Sequence, residues 1–128
     1  MIIRKCLGAI SALATVFAAY GAAAEPLKIA LVEALSGVTA GGGKVYQDAT
    51  AISIDRLNAA GGFNGQPIEF MVFDNGGTTA QASDKVKEAI DKGAHIIVQA
   101  GASSIAGQIS EDVRKYNIRN PTKPVIYL

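Results

Sequence analysis

Residues 27–33 read Leu-Lys-Ile-Ala-Leu-Val-Glu, directly after Pro26, and they give the clearest sign of how this chain folds. A short apolar run bounded by a proline and by glycines is typical of a strand buried within a parallel sheet. Ser36-Gly37 and Gly41-Gly42-Gly43 follow the run and predict a glycine-rich loop.

The segment after the glycines has the spacing of a helix. From Lys44 to Ala60, apolar residues recur every three or four positions, which is the period of one helical face. The predicted buried face carries Val45, Ala49, Ile52 and Ala59. Gly61-Gly62 ends the helix, because glycine takes a left-handed cap conformation without steric cost.

The same strand–loop–helix pattern recurs along the rest of the chain. Apolar runs predict strands at Ile68–Phe73, His95–Gln99 and Val125–Leu128. Helical spacing predicts a second helix from Thr78 or Thr79 to Lys92, and a third helix capped by Ser103 or Ser104. The predicted apolar stripes are Ala82, Val86, Ala89 and Ile90 on the second helix and Ile105, Ile109, Val113 and Tyr116 on the third. Three such βα units in series imply an α/β fold of three layers, a parallel sheet with helices on both faces.

Residues 1–24 have a different composition from the rest. Arg4 and Lys5 precede an uncharged, largely apolar stretch from Leu7 to Tyr20, and Ala22-Ala23-Ala24 follows. A positive head, an apolar centre and an Ala-x-Ala end are the parts of a secretory signal peptide. We therefore predict cleavage after Ala24 and a periplasmic domain over residues 25–128; an uncleaved N-terminal anchor is the alternative.

Charge and composition exclude several classes of protein. The chain of 128 residues has 12 Lys+Arg against 11 Asp+Glu, whereas a nucleic-acid-binding domain is usually strongly basic. One Cys and one His leave no internal disulfide and little material for a metal site. We expect no cofactor and no nucleic-acid partner.

The glycine-rich loop does not have the spacing of a nucleotide site. A phosphate-binding loop requires glycine five residues before Gly43 and a hydroxyl residue after Lys44, but Val38 and Val45 occupy those positions. The dinucleotide pattern that starts at Gly41 requires glycine where Tyr46 stands. Hydrolase chemistry fails as well, because the lone His95 begins a strand at the opposite edge from Ser103. We expect neither a nucleotide ligand nor catalysis.

A ligand of such a sheet binds beyond the carboxyl ends of its strands. The loops predicted there are Ala34–Gly43, Asp74–Gly77 and Ala100–Ser104. The amide groups that open the third helix favour an anion, and the hydroxyls of Ser103 and Ser104 add donors. The simpler interpretation is that one of these serines only caps the third helix. Asp74 at this edge is predicted to bond nearby backbone.

Four segments in this order resemble the periplasmic substrate-binding proteins of branched-chain amino-acid ABC transporters, the Leu/Ile/Val-binding type. The most specific is Asn58-Ala-Ala-Gly-Gly-Phe-Asn-Gly65; the others are Ile29–Gly37, Asp74 at the end of the second strand, and Gly101–Ser104. The resemblance implies the first lobe of a type I periplasmic binding protein, truncated at its fourth strand. It also implies capture of an amino acid or similar small carboxylate, delivery to the membrane permease, and no catalysis.

The resemblance also implies which residues contact the solute. The loop that opens the third helix holds the carboxylate, which maps onto Ser103 and Ser104 with Ala102; Ser36 is a further expected contact. An aromatic residue of the leucine-binding members maps near Gly42, a glycine here. Tyr46, one helical turn later, either takes its place or lies on the helix surface, so the solute need not be leucine.

Two functions remain open at this level. The first is a solute-binding component of an ABC transporter, and the second is a sensory or receptor domain on the same fold. A chain that stops in an apolar strand suggests a fragment or a truncated reading frame. We expect residues 25–128 alone to be marginally stable and to bind solute weakly or not at all, because the fourth strand becomes an open edge.

Overall fold

The structure is a computed structural model that describes residues 25–128. The predicted signal peptide and its cleavage after Ala24 lie outside the described residues. The elements are β1 (Lys28–Glu33), α1 (Ala40–Ala59), β2 (Glu69–Asp74), α2 (Thr79–Asp91), β3 (Ile96–Val98), α3 (Ser103–Arg119) and β4 (Ile126–Tyr127). Their order and type are as predicted, although β3 and β4 are shorter than expected.

The strands form a parallel sheet in the order β2-β1-β3-β4. In register, Leu31 of β1 lies between Val72 of β2 and Val98 of β3. The chain moves to one side of β1 to form β2 and to the other side to form β3. Because such crossovers are right-handed, α1 covers one face of the sheet, and α2 and α3 cover the other. The connections reverse direction between β1 and β3, and the loops at this switch point therefore lie between α1 and α3.

The core lies between the sheet and the pair α2–α3. Alternate residues of β1, Ala30 and Val32, face this side and are fully buried. They pack with the apolar stripes predicted for the two helices. Ala82, Val86 and Ala89 of α2 and Ile105, Ile109 and Val113 of α3 are buried, and Ile90 and Tyr116 are partly buried against them. The periodicity of these helices therefore predicted the buried faces correctly.

The predicted loop at Gly41–Gly43 is wrong, because α1 begins at Ala40 and includes all three glycines. Gly43 is the residue that packs against the sheet. A Cβ atom built on Gly43 would lie 1.8 Å from the carbonyl oxygen of Ala34. The helix thus starts where its backbone passes directly over the end of β1, and only glycine permits that approach.

The predicted buried face of α1 is also wrong. Val45 is 66% exposed and Ile52 is 52% exposed, whereas the buried residues of the helix are Gly43 and Ile54. The face toward the sheet starts from the close contact at Gly43, and Ile54 follows eleven residues, or three turns, later. The apolar side chains of Val45 and Ile52 misled the prediction because α1 carries them in exposed positions.

Candidate functional site

A cavity of about 370 Å³ opens at the carboxyl end of the sheet, between α1 and α3. It therefore lies at the switch point where a ligand of this fold is expected. Its walls come from the end of β1, the first turns of α1, the loop after β2 and the start of α3. The lining residues are Glu33, Ala34, Thr39, Gly42, Gly43, Tyr46, Gly77, Gly101, Ala102 and Ile105.

The structure brings together only part of the predicted site. Gly42 and Ala102 line the cavity from opposite sides. Ser36, Ser103 and Ser104 lie in exposed positions at the same edge, and none of the three is among the lining residues. Their predicted contacts with a solute remain predictions.

The predicted serine cap of α3 is wrong. The residue that caps this helix is Ala102, and the helix begins at Ser103. The first helical bond runs from the Ala106 N–H to the Ala102 carbonyl, at 2.9 Å. The N–H groups of the first turn, from Ser103 to Ile105, therefore have no partner within the helix, which makes this end a favourable position for an anion.

Glu33, at the end of β1, is the lining residue that the sequence did not reveal as part of a site. Its side chain is buried, with 2% of the residue exposed. One carboxylate oxygen accepts the N–H of Ala34 at 2.9 Å, and the other accepts the N–H groups of Ala100 and Gly101 at 2.9 and 2.8 Å. A charged residue directly after the apolar residues 29–32 was the available signal, because a buried carboxylate requires partners.

The loop between β3 and α3 is held from a second side by Gln99. In the orientation that satisfies both ends of its carboxamide, the oxygen accepts the N–H groups of Gly101 and Ala102 at 2.9 and 2.8 Å. The nitrogen then donates to the Tyr127 hydroxyl at 3.3 Å. The amides of the loop are thus used internally, whereas those of the first turn of α3 have no partner within the helix.

Asp74 joins two of the loops at this edge, whereas the sequence predicted only a bond to nearby backbone, which Gly76 supplies. Its carboxylate accepts the backbone N–H groups of Leu35 and Gly76, at 2.9 and 2.8 Å. The pKa of Asp74 lies below its ordinary value, first because of the Ser36 hydroxyl and then because of these amides.

Tyr46 follows Gly42 by one helical turn and lines the same cavity. It is the aromatic residue of the wall, and it stays partly exposed. A Cβ atom built on Gly42 would meet no atom within 4 Å, so the glycine leaves open space beside the ring.

His95 lies at the amino-terminal edge of the sheet, as predicted, where its Nδ1 atom accepts the N–H of Lys28 at 3.1 Å. Over residues 25–128, no cluster of His, Cys, Asp and Glu is arranged to hold a metal ion. Within the same range, no helix has the length and apolar character needed to cross a membrane.

Comparison with known proteins identifies relatives over most of the chain. A family described as "Periplasmic binding protein" matches residues 26–128. The Leu/Ile/Val-binding protein homolog 4 of Brucella abortus is 56% identical over 110 residues, which cover 86% of this chain and 26% of the relative. The leucine-, isoleucine-, valine-, threonine- and alanine-binding protein of Pseudomonas aeruginosa is 31% identical over 69% of this chain and 24% of its own length.

Solved structures show the same similarity. The crystal structure of the leucine-, isoleucine-, valine-, threonine- and alanine-binding protein of Brucella ovis, in its closed conformation, aligns with a TM-score of 0.78 and 55% identity over 81% of this chain. The branched-chain amino acid transporter substrate-binding protein of Streptococcus pneumoniae, in complex with isoleucine, aligns with a TM-score of 0.68 and 26% identity over 71% of this chain. The chain spans about a quarter of the length of these relatives.

Proposed function

Because this chain belongs to the periplasmic binding protein family, we propose that residues 25–128 form part of the first lobe of a solute-binding protein. The protein captures an amino acid or a similar small carboxylate in the periplasm and presents it to the permease of an ABC transporter. It binds the solute without changing it chemically, and it requires no cofactor. Amino-acid binding is named for the relatives from Brucella and Pseudomonas, which supports this solute class.

The observation that carries the proposal is the cavity at the start of α3. The amides of the first turn, which have no partner within the helix, suit a carboxylate, and Ala102 at the helix end lines the cavity. Gly42 and Gly43 of α1, with the Tyr46 ring, leave space for the solute's side chain across from that helix. In this arrangement the hydroxyls of Ser103 and Ser104 support the carboxylate from the rim.

A solute screen on the complete gene product tests the proposal. Amino acids, their amides and aromatic acids are compared by the thermal shift they produce, and positives are measured by calorimetry. A ligand that binds only the folded state raises the unfolding temperature by mass action. Stabilisation by one or more amino acids supports the proposal, whereas a folded protein that none of them stabilises contradicts it.

A pair of serine variants then tests the position of the carboxylate. Ser103→Ala removes a hydroxyl at the first turn of α3, and we expect the affinity for the amino acid to fall about fivefold to tenfold, the usual effect of one hydrogen bond. Ser110→Ala is the matched control, because Ser110 is an exposed serine further along the same helix. Equal affinities for the two variants would place the carboxylate elsewhere.

The identity of the genes that neighbour this one in the genome distinguishes a role in transport from a role in signalling. Genes for a permease and an ATPase support delivery to a transporter, whereas a kinase or receptor gene supports the sensory alternative. The binding screen does not depend on this outcome, because both roles require the same solute cavity.

A further inference from the structure

We propose that Asn64 is a site of spontaneous deamidation, a covalent modification that releases its amide nitrogen as ammonia and leaves an aspartyl or isoaspartyl residue. The chain contains two Asn-Gly dipeptides, Asn64-Gly65 and Asn75-Gly76. The fold places them in opposite environments, so that the reaction takes place at the first and not at the second. This inference does not rest on the proposed function.

The reaction requires only the chain and water. The backbone nitrogen of Gly65 attacks the Cγ atom of Asn64, a C–N bond forms, and the bond from Cγ to Nδ2 breaks. The proton of the Gly65 N–H leaves with Nδ2 as ammonia, and a cyclic imide remains. Water then opens the ring at either carbonyl group, which gives aspartate or, with the main chain routed through Cγ, isoaspartate. Glycine suits the attacking position because it has no side chain to shield its nitrogen.

The first support is the exposed turn that Asn64 and Gly65 form. Both residues are exposed, and their φ angles of 52° and 77° are typical of a two-residue type I′ turn. The backbone bonds that close the turn join Phe63 and Gln66, at 2.8 and 3.0 Å, and neither of them uses the Gly65 N–H. A Cβ atom built on Gly65 would meet no atom within 4 Å, so there is open space beside this backbone.

The second support is the small cost of opening the turn, which brings the Gly65 nitrogen to Cγ. Asn64 is the one residue other than glycine with a positive φ over residues 25–128, and an L-residue is less stable in that conformation. The chain is anchored outside the turn, where the Asn58 carboxamide bonds the N–H and the carbonyl of Ile68 at 2.7 and 3.0 Å. Opening therefore breaks the bonds between Phe63 and Gln66 and keeps this anchor, and exposed loops of this kind open at the lowest free energy.

The third support is the contrast with Asn75-Gly76, where both reacting groups are held. Asn75 is fully buried, its Nδ2 atom donates to the Val32 carbonyl at 3.2 Å, and its Oδ1 atom accepts the Gly77 N–H at 2.9 Å. The Gly76 N–H donates to the Asp74 carboxylate at 2.8 Å. The attacking nitrogen and the carboxamide are thus fixed by other partners, and water is kept from the carboxamide.

The test ages the folded protein and measures the product at each dipeptide. The complete gene product is incubated at mildly alkaline pH in heavy-oxygen water, digested in ordinary water, and analysed by peptide mass spectrometry. Each conversion during ageing replaces NH2 by OH and carries a labelled oxygen, which separates it from conversion during digestion. We expect Asn64 to react at least about tenfold faster than Asn75. The chain unfolded in urea is the matched control, because both dipeptides are free there and should react at similar rates.

Each result decides the inference. A preference for Asn64 that exists in the folded protein and disappears in urea supports it. Equal rates in the folded protein overturn it, and so does a folded Asn64 that resists while the unfolded one reacts, because the turn would then be locked. A preference that persists in urea also overturns it, because the neighbouring sequence rather than the fold would then set the rate.

The variant Asn64→Gly gives a second check. Glycine adopts a positive φ without steric cost, so the turn is kept while the carboxamide is removed. Deamidation adds one negative charge, and ion-exchange chromatography therefore follows the aged form of the intact protein. We expect the acidic form to accumulate in the wild type and to be largely lost in Asn64→Gly. An acidic form that accumulates equally in both would place the reaction at another residue.

Discussion

The carboxylate of Asp74, which ends β2, accepts a hydrogen bond of 2.9 Å from the backbone N–H of Leu35, which follows β1. The same oxygen accepts the N–H of Gly76 at 2.8 Å. One side chain thus fastens two of the loops that surround the cavity. Because the bonds favour the ionised form, the geometry of this edge is linked to pH.

Asp74 should make the stability of the protein fall in acid. Its pKa in the folded state lies below the ordinary value of 3.8, chiefly because of the Ser36 hydroxyl and the backbone amides. A carboxyl whose folded pKa is lowered contributes stability that is present above the unfolded pKa and lost as pH falls through the folded pKa. Urea unfolding of the complete gene product at about pH 5 and about pH 2 measures this loss.

Asp74→Asn should reduce that acid sensitivity. The exposed Asp55 of α1 gives the matched control, since it lies on the helix surface rather than between two loops. We expect Asp55→Asn to keep the wild-type dependence on pH. An unchanged dependence in Asp74→Asn would show that other carboxyls, not this one, govern unfolding in acid.

Two adjacent glycines of α1 should respond in opposite ways to alanine. In Gly43→Ala the new Cβ atom would meet the Ala34 carbonyl oxygen at 1.8 Å, so the helix must shift, and we expect a loss of about 3 kcal/mol. In Gly42→Ala the Cβ atom meets nothing within 4 Å, and the better helix propensity should add up to about 1 kcal/mol. Denaturant unfolding measures both, and equal effects would contradict the observed start of α1.

The cap of α2 should contribute measurably to stability. The Thr78 hydroxyl oxygen accepts the N–H of Gln81 at 3.3 Å, which satisfies one of the free amides of the helix. We expect Thr78→Ala to cost about 1 kcal/mol. Thr79→Ala is the control, because Thr79 is the first helical residue and lies exposed. A comparable loss in both variants would mean that the hydroxyl of Thr78 is not the stabilising group.

The sequence predicted the sheet and the faces of α2 and α3 because those elements have a regular apolar period. It failed on α1, whose inner face is built from Gly43 and Ile54 and whose outer face keeps Val45 and Ile52. The close approach of Gly43 to the Ala34 carbonyl is a contact between backbones, and no residue pattern encodes it. A run of glycines is equally compatible with a loop.

The position of the candidate site was predictable from the sequence, but the full set of residues that line it was not. Fold topology placed it at the carboxyl end of the sheet, and Gly42 and Ala102 do line the cavity. Glu33 was missed because its partners, the amides of Ala100 and Gly101, lie 67 and 68 residues away. A contact of that range depends on the pairing of β1 with β3, which sequence order alone does not give.

The residues 25–128 on their own should be prone to association. β4 is the strand at one edge of the sheet. Ile126 of this strand is 54% exposed and Leu128, directly after it, is 67% exposed, and both lie on the same face of the sheet as α1. An open apolar edge pairs readily with other chains. We expect purified residues 25–128 to melt without sharp cooperativity and to bind amino acids weakly or not at all. A cooperative melt together with micromolar amino-acid binding would contradict this expectation.

A charge on that edge should suppress the association. Ile126→Lys places a lysine on β4, where natural sheets use charged side chains to block pairing. Ile118→Lys is the matched control, because Ile118 is also exposed, at 66%, but lies on α3 rather than on the edge strand. Light scattering of the two variants at equal concentration gives the comparison. If only Ile126→Lys remains monomeric, association proceeds through the edge of β4, whereas equal suppression by both lysines would point to general apolar exposure.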